Sequence, residues 1–239
     1  MIKAALEYLV GMARPEIVNV GGRDYSTMSI TPVEAPTPSA LDVYSLTGLV
    51  DYIKNNVDGL DYKKLMVLVR DCACVDLIGA ALPPFENRAK HVRALFEFSQ
   101  FPFDQHLRAE DFNIKVQSFF EDSGDRAAIL KQSGSITEEA TVTLDDDGVT
   151  QRTAAKTGIA RREEIAIKNP VTLAPYRTFP EIEQPSSPFI FRMFSASRTG
   201  GEPEFALFEA DGGKWENNAR LSIKSWLEAN LPEGVVVLA

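Results

Sequence analysis

KNPVTLAPYRTFPEIEQPSSPFIFRMF, residues Lys168 to Phe194, is the stretch on which the reading of this chain turns. It holds five of the fourteen prolines, the Tyr176-Arg177-Thr178-Phe179 run and, at its end, a row of large apolar residues. Each proline fixes φ and removes a backbone donor. Pro170, Pro175, Pro180, Pro185 and Pro188 therefore exclude a helix and an inner strand up to about Ser187. What remains is an extended or turning connection. Val171, Leu173, Tyr176, Phe179 and Ile182 give it more apolar surface than a solvated linker needs, so it is expected to lie across a folded body.

The chain has 239 residues, 44% of them hydrophobic and 25% charged, enough to bury a sizeable core in one large domain or two small ones. A formal net charge of −9 argues against a nucleic-acid partner, because a phosphate backbone is held by positive surface. The longest acidic run, Asp145-Asp146-Asp147, is too short for a nucleic-acid mimic. Glu7 interrupts the first apolar run and no cationic lead precedes it, so MIKAALEYLVGMARPEI reads as a short amphipathic helix and not a signal peptide. No stretch approaches the ~18 apolar residues of a membrane span. A cytoplasmic protein with no membrane partner is expected. Cys72 and Cys74, the two cysteines, are too close for an unstrained disulfide and read as reduced, buried thiols.

Outward from the central stretch, the elements alternate between helix and strand. EIVNVGGRDYSTMSI reads as a hairpin turning at Gly21-Gly22, followed by a linker with Pro32, Pro36 and Pro38. Ser45 is placed to cap a helix with Leu46, Leu49, Val50, Ile53 and Val57 on one stripe, ending at Asp58-Gly59. LMVLV (residues 65–69), CACVDLIGAAL up to Pro83-Pro84, and Arg88 to Phe98 read as an antiparallel meander carrying that helix. Val92, Ala94, Phe96 and Phe98 are expected inward, His91, Arg93 and Glu97 outward. Two helices follow, about 109–121 and, capped by Ser123, up to Gly134. ATVTL and VTQRTAA form a hairpin around the Asp-Gly turn, EEIAI is a further strand, and PFIFRMF pairs with EFALF through Thr199-Gly200-Gly201. A helix after Asp211-Gly212-Gly213 and the strand VVVL close the chain. The fold class is α+β, mainly antiparallel sheets with packed helices and proline-rich extended arms at 31–44 and 168–188. An N-terminal α+β part, 1–135, and a β-rich C-terminal part, 136–239, are expected to pack as one body.

Chemistry-bearing residues are sparse. His91 falls on an outward strand face and His106 in FPFDQHLR, neither in a metal-ligand spacing. Cys72 and Cys74 with Asp76 lack the second pair of ligands that a structural zinc takes. The Asp145 to Asp147 run lacks the later bidentate glutamate of a calcium loop. Neither Gly200-Gly201 nor Gly212-Gly213 belongs to a phosphate-loop motif. No catalytic residue, metal site or cofactor is therefore assigned. Tyr176 and Arg177 are the candidate ligand-binding residues, since a guanidinium among Pro175, Tyr176 and Phe179 is partly desolvated. It would pair with Glu181, Glu183 or an anionic ligand, or tie the connection to the body through backbone carbonyls. Arg152, Arg161, Arg162, Arg192 and Arg198 are near enough in sequence to contribute a local basic surface.

The order SLTGLVDYI, LMVLV, a strand to Pro83-Pro84, RAKHVRALFEF and AEDFNIKVQSFFED resembles the YfdQ-like family of phage and prophage proteins. LAPYRTFPEIEQPSSPFIFR followed by ALFEADGGKW is similar to its members from phages of Gram-positive hosts. The likeness lies in the order of elements over nearly the full length more than in identities. It implies a phage-encoded accessory protein in the host cytoplasm, and it brings no site residues. The first expectation is a non-enzymatic protein acting through homo-oligomeric self-assembly or by binding a host or phage protein, because extended arms that reach across a neighbour build oligomers. The second is a pocket that binds an anionic small molecule such as a nucleotide through Tyr176 and Arg177. The third is a metal-dependent hydrolase or nuclease using Asp104 and His106.

Overall fold

Two units divide the chain, Met1–Pro38 and Ser39–Ala239. The structure, a computed structural model, describes residues 2–12, 15–20, 22–26, 39–82, 87–135, 143–146, 150–156, 162–194 and 203–239. The first unit has a helix, α1 (Ile2–Met12), and an antiparallel hairpin of β1 (Ile17–Val20) and β2 (Arg23–Ser26). Val20 pairs with Arg23, and between them Gly22 takes a left-handed φ of 83° that glycine adopts without strain. The readings placed on Gly21, Met28, Ile30, the prolines of the first arm, Pro83-Pro84, Asp147-Gly148 and Thr199-Gly200-Gly201 lie outside the described residues.

The second unit opens with a short strand, β3 (Leu41–Val43), and α2 (Leu46–Lys54). The Ser45 hydroxyl accepts from the Gly48 N–H at 3.0 Å, the cap that the sequence predicts. The helix stops four residues before Asp58, at a Lys54 followed by Asn55. Asn56 turns left-handed with φ 46°, and Val57, expected on the buried stripe, is 60% exposed. Asparagine tolerates that conformation better than most residues and so ends the helix before the glycine can.

A 3-10 turn (Tyr62–Lys64) leads to β4 (Met66–Val69), β5 (Cys74–Leu82) and β6 (Asn87–Leu95), the antiparallel meander. Buried and half-buried residues alternate along β4, and Val75, Leu77, Val92 and Ala94 face the same core. Pairing shifts between Leu77 and Ala81, and the strand ends at Leu95, so Phe96 and Phe98 are half-buried beyond it. The two edges of this five-stranded sheet, ordered β14-β4-β5-β6-β3, pair in parallel: β3 against β6, and the C-terminal β14 (Val236–Leu238) against β4.

The rest is built on a four-stranded sheet. It contains β7 (Leu107–Arg108), β11 (Val171–Leu173), β12 (Ser187–Phe194) and β13 (Glu204–Glu209), in the order β11-β12-β13-β7 and antiparallel throughout. Two helices, α3 (Ala109–Phe119) and α4 (Gly124–Ser135), contribute to its core. A third sheet is the antiparallel ribbon of β8 (Thr143–Asp146), β9 (Thr150–Lys156) and β10 (Arg162–Lys168). The last helix is α5 (Lys214–Asn230), with Ala219, Ile223 and Leu227 buried and Trp215 and Trp226 half-buried. The class is α+β, with antiparallel and mixed sheets and packed helices.

Two hydrophobic cores organise this unit, and each takes residues from before and after position 135. One gathers Leu46, Leu49, Ile53, Val67, Leu77 and Val92 with Ile223, Leu227 and Val237. The other gathers Phe101, Phe112, Phe120 and Ile129 with Phe189, Phe191, Phe205 and Leu207. Residues 169–186, the strap, serve both: Phe179 and Ile182 enter the first core, Val171 and Leu173 the second. Beyond β11, which pairs with β12, the strap crosses the interior outside any sheet strand, so its backbone polar groups there need other partners. The buried side chain of Gln184 provides them. Its Oε1 accepts from the N–H groups of Arg177 (3.0 Å) and Thr178 (3.3 Å), and its Nε2 donates to the carbonyls of Thr178 (3.2 Å) and Phe179 (3.3 Å).

Outward ties fix the strap to its surroundings. Thr178 Oγ1 donates to the Cys72 carbonyl at 2.5 Å, and Glu181 Oε1 accepts from the Thr47 N–H at the start of α2 at 3.1 Å. Tyr176 N–H donates to the Phe119 carbonyl, Glu121 N–H to the Ala174 carbonyl, and Thr172 N–H to Asp125.

Candidate ligand pocket beside Arg177

Three approaches of chain build the site. The connection after β6 carries Phe98, Gln100, Phe101 and Phe103; the end of α3 and the strap bring Phe119, Pro175, Tyr176 and Arg177; the end of β13 and the start of α5 bring Glu209, Gly213, Trp215 and Glu216. The bonds between the strap and residues 119–121, with an antiparallel bridge between Phe120 and Pro175, hold the second group against the aromatic cluster. Asp211 sets the third. Its carboxylate accepts from the N–H groups of Gly213 (2.9 Å) and Trp215 (3.0 Å), and Gly213 caps α5 with a left-handed φ of 81°. These groups enclose a cavity of about 220 Å3. A broader groove beside Glu181, Glu183, Leu221 and Trp226 is open to solvent and has no comparable aromatic wall.

Arg177 is 4% exposed, and its guanidinium is engaged on every side but one. Nη1 donates to Glu209 Oε1 at 2.7 Å, and Nη2 to Ser187 Oγ at 2.5 Å and the Pro185 carbonyl at 3.4 Å. Its flat face lies 3.7 Å from the centre of the Trp215 ring and 5.8 Å from that of Phe189. Nε is buried without a hydrogen-bond partner. Burial pulls the guanidinium below its usual proton affinity, against the opposing pull of Glu209 and Asp211. Burial likewise pushes the Glu209 carboxyl upward, against the attraction of Arg177. Desolvation thus outweighs attraction for both members, as it does for pairs held mainly by geometry.

Tyr176 and Arg177, the residues singled out from sequence, both line the cavity. Arg177 does not tie the strap to the body through carbonyls as expected: its carbonyl partner, Pro185, lies in the strap itself. Its bonds beyond the strap go to the side chains of Ser187 and Glu209, and its carboxylate partner is Glu209 and not Glu181 or Glu183. Trp215 and Glu209 were not legible as site residues, because only the tertiary fold brings them to the strap. Arg192 is half-buried in β12, while Arg161 and Arg198 lie outside the described residues.

Other candidates are engaged elsewhere. The His106 ring stacks on Phe194 at 3.8 Å with Nδ1 3.4 Å from Glu204, and the Asp104 N–H donates to the Leu207 carbonyl from a left-handed turn. His91 fills the space over Gly79, where an added Cβ would stand 3.0 Å from Nε2. Asp76, wholly buried, accepts from Arg70 and from Arg93 Nε at 3.0 Å, with Lys90 Nζ at 3.5 Å. Burial alone would raise this carboxyl, yet the bonds from Arg93 and Arg70 and the nearby cations hold it below the usual range. Among the described residues no group of three His, Cys, Asp or Glu side chains is placed to hold a metal ion, and no helix is long and apolar enough to cross a membrane.

No family model matches the chain, and no curated protein and no solved structure matches it either.

Cys72 and Cys74 are half-buried, not fully buried as expected. Burial, with Asp71 and Glu216 adding to it, still pushes the Cys72 thiol up to about 11, and burial raises Cys74 as well. Since only the thiolate attacks, iodoacetamide should label the native protein slowly at pH 7–8, and Cys72 should react about tenfold faster per pH unit until the pH nears 11. Mass spectrometry that finds fast labelling of Cys72 at neutral pH would contradict this environment.

Proposed function

We propose that the chain is a ligand-binding protein, and that a small molecule with a compact aromatic or apolar body occupies the pocket beside Arg177. The observation that carries this reading is the convergence of Phe98, Phe101, Phe103, Phe119, Tyr176 and Trp215 on a cavity of about 220 Å3. Protein interiors leave few voids larger than a water molecule. Binding sites, in contrast, are apolar concavities with a few fixed polar groups. Arg177, Glu209 and Gln100 supply those groups, and the ties on Arg177 keep them in place before any ligand arrives. Set beside the resemblance to the YfdQ-like proteins, the proposed reading is that of a binding accessory protein of a phage or prophage.

Trp215 is the natural reporter. A Trp226→Phe background leaves it as the single tryptophan of the two in the chain. Single-ring probes such as phenol, indole and benzylamine should shift its emission with saturable, sub-millimolar to millimolar affinity. Gln100→Phe, a substitution at an exposed position of the rim, should remove the response by filling the cavity. A flat titration with every probe, or a response that survives Gln100→Phe, would overturn the pocket reading.

A second reading, self-association of this chain, is favoured by the first unit. Ile2, Leu6, Tyr8 and Val10 of α1 and Ile17, Val18, Val20 and Tyr25 of the hairpin are all exposed large apolar side chains. An isolated two-stranded hairpin and a helix of this length are marginal on their own in water. A second copy of the chain is the occupant we propose for this surface. Light scattering should then give a particle of at least twice 26.4 kDa, reduced by Leu6→Glu with Val18→Glu; a wild-type monomer at micromolar concentration would end the idea.

A further inference from the structure

We infer that the ligand of the Arg177 pocket is a cation: a small ammonium group, seated among aromatic faces and balanced by Glu209 and Glu216. This rests on the pocket reading above and adds the sign of the ligand's charge. Ring faces carry the negative part of the aromatic quadrupole and attract an ammonium within about 6 Å, tryptophan most strongly. Half of the twelve residues that line the cavity are aromatic. The pocket already contains one such contact, the Arg177 guanidinium on Trp215.

The charge balance points the same way. Arg177 is the one cationic residue among those that line the cavity, while Glu209 and Glu216 are both carboxylates, which leaves one net negative charge. Asp211 and Asp104 lie close enough to Glu209 to act on it and add to that sign.

An anion, the ligand that Arg177 alone would invite, finds little to hold it. Both terminal nitrogens of the guanidinium are hydrogen-bonded and one face is covered by Trp215, so the buried Nε–H is the single donor of Arg177 left to it. The start of α5 offers no anion cradle either, because the Gly213 and Trp215 N–H groups already donate to Asp211. A ligand cation, in contrast, meets Glu216, which no cationic residue of the lining neutralises because Arg177 is paired with Glu209.

Three probes of one shape and different charge test this on the full chain by calorimetry: choline, its neutral isostere 3,3-dimethylbutan-1-ol, and the anion 3,3-dimethylbutanoate. Choline should bind about tenfold or more tightly than the neutral isostere, a difference of about 1.4 kcal/mol. Glu216→Gln, at an exposed position, should weaken choline several-fold and leave the neutral isostere unchanged. Equal affinity for choline and the alcohol, or preference for the anion, would overturn the cation inference while the pocket reading stands. Failure of all three probes with the single-ring probes still binding would do the same. Failure of every probe would overturn both.

Discussion

One buried amide, that of Gln184, makes the rest of this architecture possible. A segment with prolines at 170, 175, 180 and 185 cannot satisfy its backbone by pairing in the interior of a sheet, yet it passes between two hydrophobic cores. Gln184 answers with both ends of its side chain, closing four hydrogen bonds to Arg177, Thr178 and Phe179. An unpaired buried donor or acceptor costs about 1–3 kcal/mol, so the strap could not be buried without such a partner. With its backbone satisfied, Phe179 is free to be wholly buried against the meander, and Arg177 to project toward β13 and α5.

The pocket is a consequence of that crossing. Where the strap passes the end of α3, the connection after β6 and the start of α5, side chains from three directions meet without interdigitating fully. The Arg177–Glu209 pair sits at this junction under conditions that desolvate both partners, which favours its retention for orientation more than for raw stability. Asp76 shows the contrasting case. It is wholly buried, but three half-exposed cations from β4's end and β6 surround it, and their bonds outweigh desolvation.

Local physics made much of the fold readable in advance. Ser45 caps α2, the apolar run at 65–69 is a buried strand, and Gly22 turns the first hairpin, because each depends on residues within a few positions. Local cues also misled: Asp58-Gly59 is a plausible helix stop, but Asn55-Asn56 comes first and leaves Val57 in solvent. Phe96 and Phe98 continue the alternation of β6 in sequence, whereas the strand ends at Leu95 and frees Phe98 for the cavity wall. The part of the site carried by the strap, Tyr176 and Arg177, stood out through composition. Glu209, Trp215 and Gln184 did not, since their roles come from pairings across the fold that no spacing in the sequence encodes. The return of VVVL to lie parallel to β4 is of the same kind.

The account depends most on Gln184, and urea unfolding of Gln184→Ala tests it directly. Removing the amide leaves two N–H groups and two carbonyls of the strap without their partners, which should lower the unfolding free energy by about 3 kcal/mol or more. Loss of the strap should loosen both cores, so far-UV and near-UV signals should move together to the lower midpoint. A Gln184→Ala protein within about 0.5 kcal/mol of wild type, the range of an ordinary surface substitution, would contradict the claim that this side chain holds the strap in place.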